Sequence, residues 1–139
     1  MKSILFVCHG NICRSPMGEF IFKKLAGDRY IVESRATSTD EIGNDIYPPV
    51  KEVLDKNNIP YTRHHSTQIT INDYNLFDVV VCFDTRNYDN LKRMLPDVSK
   101  VIKLCSYDVD DPWYTREFDR CFNETLEGCQ ELLKRLDSE

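Results

Sequence analysis

Ser3-Ile4-Leu5-Phe6-Val7-Cys8-His9-Gly10-Asn11-Ile12-Cys13-Arg14-Ser15-Pro16 is the stretch whose reading decides the fold of this chain. Residues 3–7 form a short apolar run, the pattern of a strand buried on both faces of a parallel sheet. Ser15-Pro16 reads as a helix start, because Ser is a favoured N-cap and Pro fits the first helical position, where no backbone N–H is needed. Met17, Phe20, Ile21 and Leu25 supply the apolar face of that helix. The loop of residues 8–14 then lies at the carboxyl end of the first strand, with its N–H groups and the helix N-terminus aimed at one point. That point favours an anion. The same groups, with Arg14, stabilise a thiolate on Cys8. Arg14 also presents two parallel N–H donors to a tetrahedral dianion, so nucleophile and electrophile share one pocket.

Outward from this loop, strand-like runs recur at 30–34, 78–83 and 100–104, with helical patterns between and after them. Val50, Val53 and Leu54 mark one helix, and Tyr88, Leu91 and Leu95 another. Phe118, Cys121, Phe122, Thr125, Leu126, Cys129, Leu132, Leu133 and Leu136 keep a helical spacing in the last stretch of the chain. Strands alternating with helices imply an α/β domain with helices on both faces of the sheet, and ligands of such folds bind beyond the carboxyl ends of the strands. Cys8, Ser34, Asp84 and the acidic segment after the fourth strand all fall there.

The 139 residues suit one domain with a sizeable core. At 41% hydrophobic and 29% charged, the composition is that of a soluble globular protein without repeats or low-complexity tracts. The start is too short for a signal peptide and continues into the loop, and no apolar run approaches a membrane span, so a cytoplasmic protein is expected. A formal charge of −5 gives no broad basic surface, which argues against nucleic acid as a partner and confines cationic character to the anion pocket. Six cysteines invite a disulfide or zinc reading, but none makes C-x2-C, and Cys82, Cys105, Cys121 and Cys129 lie in apolar or helical contexts. Most of these thiols are expected to be reduced and buried.

Cleavage of a phosphate ester by a thiolate needs a proton for the leaving oxygen, so a carboxylic acid should reach over the pocket. Asp108, Asp110 and Asp111 are placed to do so, and the residues alone do not choose among them. Trp113 and Tyr114 follow on a loop that Pro112 helps fix, a pair suited to a flat substrate ring.

Cys8 to Arg14 fits C-x5-R followed by Ser15, and C-x-G-N-x-C-R-S near the N-terminus resembles the low-molecular-weight protein tyrosine phosphatases. The resemblance extends through Ser34-Arg35-Ala36-Thr37-Ser38, Phe77-Asp78, Val81-Cys82-Phe83-Asp84, Asn87 and Asp111-Pro112-Trp113-Tyr114. It implies that residues 1–139 form one such phosphatase domain, with a four-stranded parallel sheet in the order 2-1-3-4. It further implies Cys8 as nucleophile, Arg14 as phosphate binder and Asp111 as general acid and base. His9, Gly10, Asn11, Ile12, Cys13 and Ser15 would surround the phosphate, with Trp113 and Tyr114 at the entrance. Asn11, Ser34, His64 and Asp84 would form a polar network beneath the loop, His9 would lie at its exterior, and the Ser15 hydroxyl would donate to the Cys8 thiolate.

Asp40 departs from the pattern, standing where the family usually has a Trp or Tyr as one wall of the cleft; a carboxylate there should disfavour acidic residues flanking the phosphotyrosine. The segment His64-His65-Ser66-Thr67-Gln68 lacks the Arg commonly found there. Cys13 beside the reactive thiolate implies a reversible Cys8–Cys13 disulfide latch. The expected partners are phosphotyrosine-containing proteins, acted on by a monomer without metal or organic cofactor. Three rivals share the machinery or the loop. Phosphoarginine phosphatases resemble this chain with Thr in place of Ile12. An arsenate reductase would recruit further thiols such as Cys82. A phosphotyrosine-binding protein with weak turnover is the third.

Overall fold

In the computed structural model, which describes residues 1–139, the apolar run becomes the inner strand β1 (Ser3–Cys8), buried along its whole length. The helix α1 (Arg14–Ala26) returns the chain to β2 (Ile31–Ala36), and α2 (Pro48–Lys56) and α3 (Ile71–Leu76) precede β3 (Val79–Cys82). The helix α4 (Thr85–Met94), β4 (Val101–Lys103), the single turn α5 (Pro112–Thr115) and α6 (Phe118–Asp137) complete the order. All strand pairs are parallel and the sheet order is β2-β1-β3-β4, as the resemblance implied.

Alternation along β1 explains the two-sided core. Ile4, Phe6 and Cys8 join one apolar cluster with Met17, Phe22, Leu54, Cys129 and Leu132 of α1, α2 and α6. Leu5 and Val7 join the other, with Tyr74 of α3 and Leu91 of α4. Strand pairing places the switch in direction at β1, with β2 on one side and β3 on the other, so the crevice for a ligand opens beyond Cys8 and Cys82. No helix is long and apolar enough to cross a membrane.

Three local expectations change. The helix expected to be capped by Ser15 starts at Arg14 with Cys13 at the N-cap position and no side-chain cap, because the Ser15 hydroxyl is engaged with Cys8 and Asn11 instead. The loop expected to carry Asp111, Trp113 and Tyr114 contains a helical turn, with Asp111 as its cap. An unforeseen helix, α3, is closed by a capping box in which Thr70 and Asp73 satisfy each other's backbone N–H groups.

Candidate active site

The peptide from Cys8 to Arg14 wraps the end of β1, and backbone conformation follows from its sequence. Asn11 takes the left-handed region at φ 58°, which asparagine tolerates better than most residues. Its side chain repays the conformation: Nδ2 donates to Ser15 Oγ at 2.7 Å and Ser34 Oγ at 3.0 Å, and Oδ1 accepts from the Thr67 N–H at 3.2 Å. The outward carbonyls are taken as well. Asn11 O accepts from His64 Nε2 at 2.7 Å, Gly10 O from Ser66 Oγ, Ile12 O from the Tyr47 N–H and His9 O from Ser38. The N–H groups of residues 9–13 donate to no other group of the protein, which leaves them for an anion.

Cys8 Sγ lies 3.1 Å from Ser15 Oγ and accepts the Ser15 N–H at 3.3 Å. Here the Cys8 thiol donates to Ser15 Oγ, which also accepts from Asn11 Nδ2 and turns its own proton to the Arg35 carbonyl at 3.4 Å; rotating that hydroxyl toward the sulfur would give a thiolate the donor it requires. Arg14 is buried, and its Nη1 donates to Asp84 Oδ2 at 2.6 Å and the Val109 carbonyl at 2.8 Å. Burial alone would lower its pKa, but Cys8, Asp111 and Asp84 outweigh it and hold the guanidinium firmly charged. Asp84 is itself fixed by capping α4, where it exchanges hydrogen bonds with Asn87.

The four residues expected to form one network thus fall into two groups. Asn11, Ser34 and His64 brace the loop from the β2 side, while Asp84 sits with Arg14 at the end of β3. The first group ends on a residue not anticipated: Ser34 Oγ donates at 2.6 Å to Glu19 Oε1, a nearly buried carboxylate on α1. Its signal in the sequence is a lone acid within the otherwise apolar run 17–22. Burial lowers the pKa of His64, with the Asn11 carbonyl bond opposing, and a neutral ring that donates from Nε2 suits that carbonyl.

A cavity of about 120 Å³ opens over Cys8, lined also by Gly10, Ile12 and Cys13 of the loop and by Asp111. Asp111 Oδ1 caps α5 by accepting the Trp113 N–H at 3.0 Å, and its Oδ2 lies 3.5 Å from Arg14 Nη2. Asp108 faces elsewhere: Lys103 at 2.6 Å and the Thr85 N–H and hydroxyl hold it below the usual carboxylate range. Of the three clustered acids, only Asp111 lines this cavity.

Trp113 and Tyr114 form the aromatic part of the mouth, and Asp40 with the unanticipated Glu41 supplies carboxylates there. His9 stands at the rim, with Nε2 2.9 Å from Asp40 Oδ2. Cys82, the conceivable relay thiol, is fully buried in β3, where burial and Asp84 push it up to about 12.

Comparison with known proteins places the chain in a family. The family described as low molecular weight phosphotyrosine protein phosphatase matches residues 3–139. The low molecular weight phosphotyrosine protein phosphatase of Gallus gallus is 35% identical, with 97% of this chain and 96% of that protein aligned. The low molecular weight protein-tyrosine-phosphatase PtpA of Staphylococcus aureus (strain Newman) is also 35% identical, over 96% of this chain and 92% of its own. Among solved structures, SP-PTP, the low molecular weight protein tyrosine phosphatase from Streptococcus pyogenes, superposes with a TM-score of 0.95 at 43% identity, covering 98% of this chain and 93% of that one. YfkJ from Bacillus subtilis gives 0.95 at 31% identity, covering 99% and 96%. With family match, relatives and fold in agreement over nearly its whole length, the chain belongs to the low molecular weight phosphotyrosine protein phosphatase family.

Proposed function

We propose that this chain hydrolyses phosphotyrosine in proteins, and aryl phosphates, through a cysteinyl-phosphate intermediate. The observation that carries the reading is the convergence on one small cavity of the Cys8 sulfur, unspent loop N–H groups and the Asp111 carboxyl, with buried Arg14 against Asp111. The phosphate dianion seats on the loop N–H groups and the Arg14 guanidinium. The Cys8 thiolate forms the S–P bond as the bond from phosphorus to the phenolic oxygen breaks, and Asp111 gives its proton to that oxygen. Asp111, now a carboxylate, takes a proton from water as the water oxygen attacks phosphorus. The S–P bond breaks, inorganic phosphate leaves, and the Ser15 hydroxyl stabilises the departing thiolate. Arg14 balances the equatorial charge in both transition states. Each step uses side chains and water. Cys13 adds a redox latch, closing a disulfide with oxidised Cys8.

Aryl specificity is supported by Ile12, Trp113 and Tyr114 at the cavity, an apolar and aromatic lining for a ring. The deciding experiment compares kcat/KM on phosphotyrosine, phosphoserine and phosphoarginine peptides, with Cys8→Ser and Asp111→Asn. Phosphotyrosine should be preferred, Cys8→Ser should abolish turnover, and Asp111→Asn should cost roughly 10²–10⁴-fold on phosphotyrosine. Turnover that survives Cys8→Ser, or a preference for phosphoarginine, overturns the reading. An unchanged rate for Asp111→Asn removes the acid from position 111. Burst kinetics with p-nitrophenyl phosphate separate an enzyme from a phosphotyrosine-binding protein.

A further inference from the structure

Arg116 occupies a backbone conformation that suits a residue without Cβ. At φ 62° and ψ 15° it is left-handed, closing α5 by donating its N–H to the Pro112 carbonyl at 2.9 Å. A glycine would do this with less strain, so the side chain is where to look for the compensating contacts. Its guanidinium stacks over the rings of Tyr47 and Phe118, at 5.4 Å and 5.1 Å from their centroids. Nη2 donates to the Tyr47 hydroxyl at 3.1 Å and Nη1 to the Trp113 carbonyl at 3.3 Å. Neighbouring carboxylates are engaged by other cations, Glu117 by Arg120 and Asp119 by Lys56.

Tyr47 ties this stack to the phosphate loop. Its N–H donates to the Ile12 carbonyl at 2.9 Å, its own carbonyl accepts from Val50 and Lys51 of α2, and its ring lies 4.8 Å from that of Trp113. The acid-bearing segment Asp111-Pro112-Trp113-Tyr114 needs such an anchor, because an isolated four-residue helical turn does not hold its own shape in water. Asp111 is fixed to the first turn by its cap on the Trp113 N–H, and Arg116 fixes the last.

We propose that Arg116 is a positioning residue, clamping α5 onto Tyr47 so that Asp111 stands at a set distance from Cys8. The proposal rests on the assignment of Asp111 as the general acid. A displaced acid is felt in proportion to how much the leaving oxygen needs its proton, so the clamp has a signature that fold damage lacks. For a series of aryl phosphates, log kcat/KM plotted against leaving-group pKa should be nearly flat in the wild type and steep in Asp111→Asn. Arg116→Gly keeps the left-handed backbone while removing the clamp, and should give an intermediate slope. It should lose roughly tenfold on phenyl phosphate and only about twofold on p-nitrophenyl phosphate, the scale of a small misplacement of a catalytic group. Tyr47→Phe, which removes one hydroxyl, should shift the slope the same way by less, and Arg116→Lys should fall between wild type and Gly.

An Arg116→Gly slope equal to wild type, alongside a steep Asp111→Asn slope, overturns the clamp and leaves the acid assignment standing. A flat Asp111→Asn slope overturns both. Equal losses across the whole substrate series in Arg116→Gly and Tyr47→Phe also overturn the clamp, since they would reflect general damage.

Discussion

Cys13 shares its loop with Cys8 and is only 4% exposed, and burial, with Cys8 and Asp111 adding, pushes its thiol up. Cys8, at 3% exposed, is no more accessible, so charge separates the two thiols: oxidation follows thiolate character, and the Cys8 sulfur, unlike that of Cys13, accepts the Ser15 N–H. Under the redox latch proposed above, peroxide would meet Cys8 first, taking two electrons from its thiolate to give the sulfenate and water. Cys13 would then attack that sulfur, forming the disulfide as hydroxide leaves with the Cys13 proton. That disulfide would shield Cys8 from the irreversible acids. The expected outcome is that wild type treated with hydrogen peroxide and then dithiothreitol recovers nearly all its activity, while Cys13→Ser recovers a small fraction at the same exposure. Recovery of Cys13→Ser to the wild-type level removes Cys13 from this role.

Secondary-structure elements were legible in proportion to how much apolar pattern they carry. The strand β1 and the helix α6 are read directly from sequence, one as an unbroken buried run and the other as long helical spacing with Cys121, Phe122, Thr125, Cys129, Leu132 and Leu136 buried. Helix α3 was not, because it buries only Tyr74 and depends on its Thr70 and Asp73 cap. The Ser15-Pro16 signal marks the start of α1 late because the Ser15 hydroxyl bonds Cys8 and Asn11 in place of capping, and the left-handed conformation at Arg116 has no periodic signal at all. Among site residues, those in the contiguous loop were legible, whereas Glu19 and Glu41 reach it only through tertiary folding.

The way α1 packs yields a prediction at this scale. An alanine Cβ at Gly18 would stand 2.7 Å from Phe6 Cδ1 and 3.1 Å from Phe83 Cζ, both rings fully buried. Alanine improves helix propensity by about 1 kcal/mol, while overpacking a filled core costs about 1–3 kcal/mol. Gly18→Ala should lower the urea midpoint with unchanged m-value; a midpoint at or above wild type would show that the Phe6 ring gives way.

Across the whole molecule 18 Lys and Arg are outnumbered by 23 Asp and Glu, and the mouth of the cavity over Cys8 carries Asp40 and Glu41, while buried Arg14 lies against Asp111, which lines the same cavity. His9 lies 2.9 Å from Asp40 and moderates one of these carboxylates; Glu41 meets only the neutral Asn44 side chain, at 3.2 Å. In the proposed mechanism the phosphate is held by buried Arg14 and by loop N–H groups, contacts that salt screens weakly. Residues flanking the phosphotyrosine meet the exposed rim, where single charge contacts contribute about 0.2–1 kcal/mol and are screened within roughly 8 Å at physiological salt.

Peptides with lysine beside the phosphotyrosine should therefore be preferred over those with glutamate. The expected ratio is about threefold to tenfold in kcat/KM at low ionic strength, expressed mainly in KM because the rim does not touch the reacting atoms. Asp40→Asn with Glu41→Gln should bring the two peptides together by improving the glutamate-flanked one, and 0.5 M salt should do the same to the wild type. Equal kcat/KM for the two wild-type reactions at low salt would show that the rim carboxylates do not select substrate. A lysine preference that persists in the double variant would place the selecting charge elsewhere, with Asp110 beside the Arg14 side of the site the next to substitute.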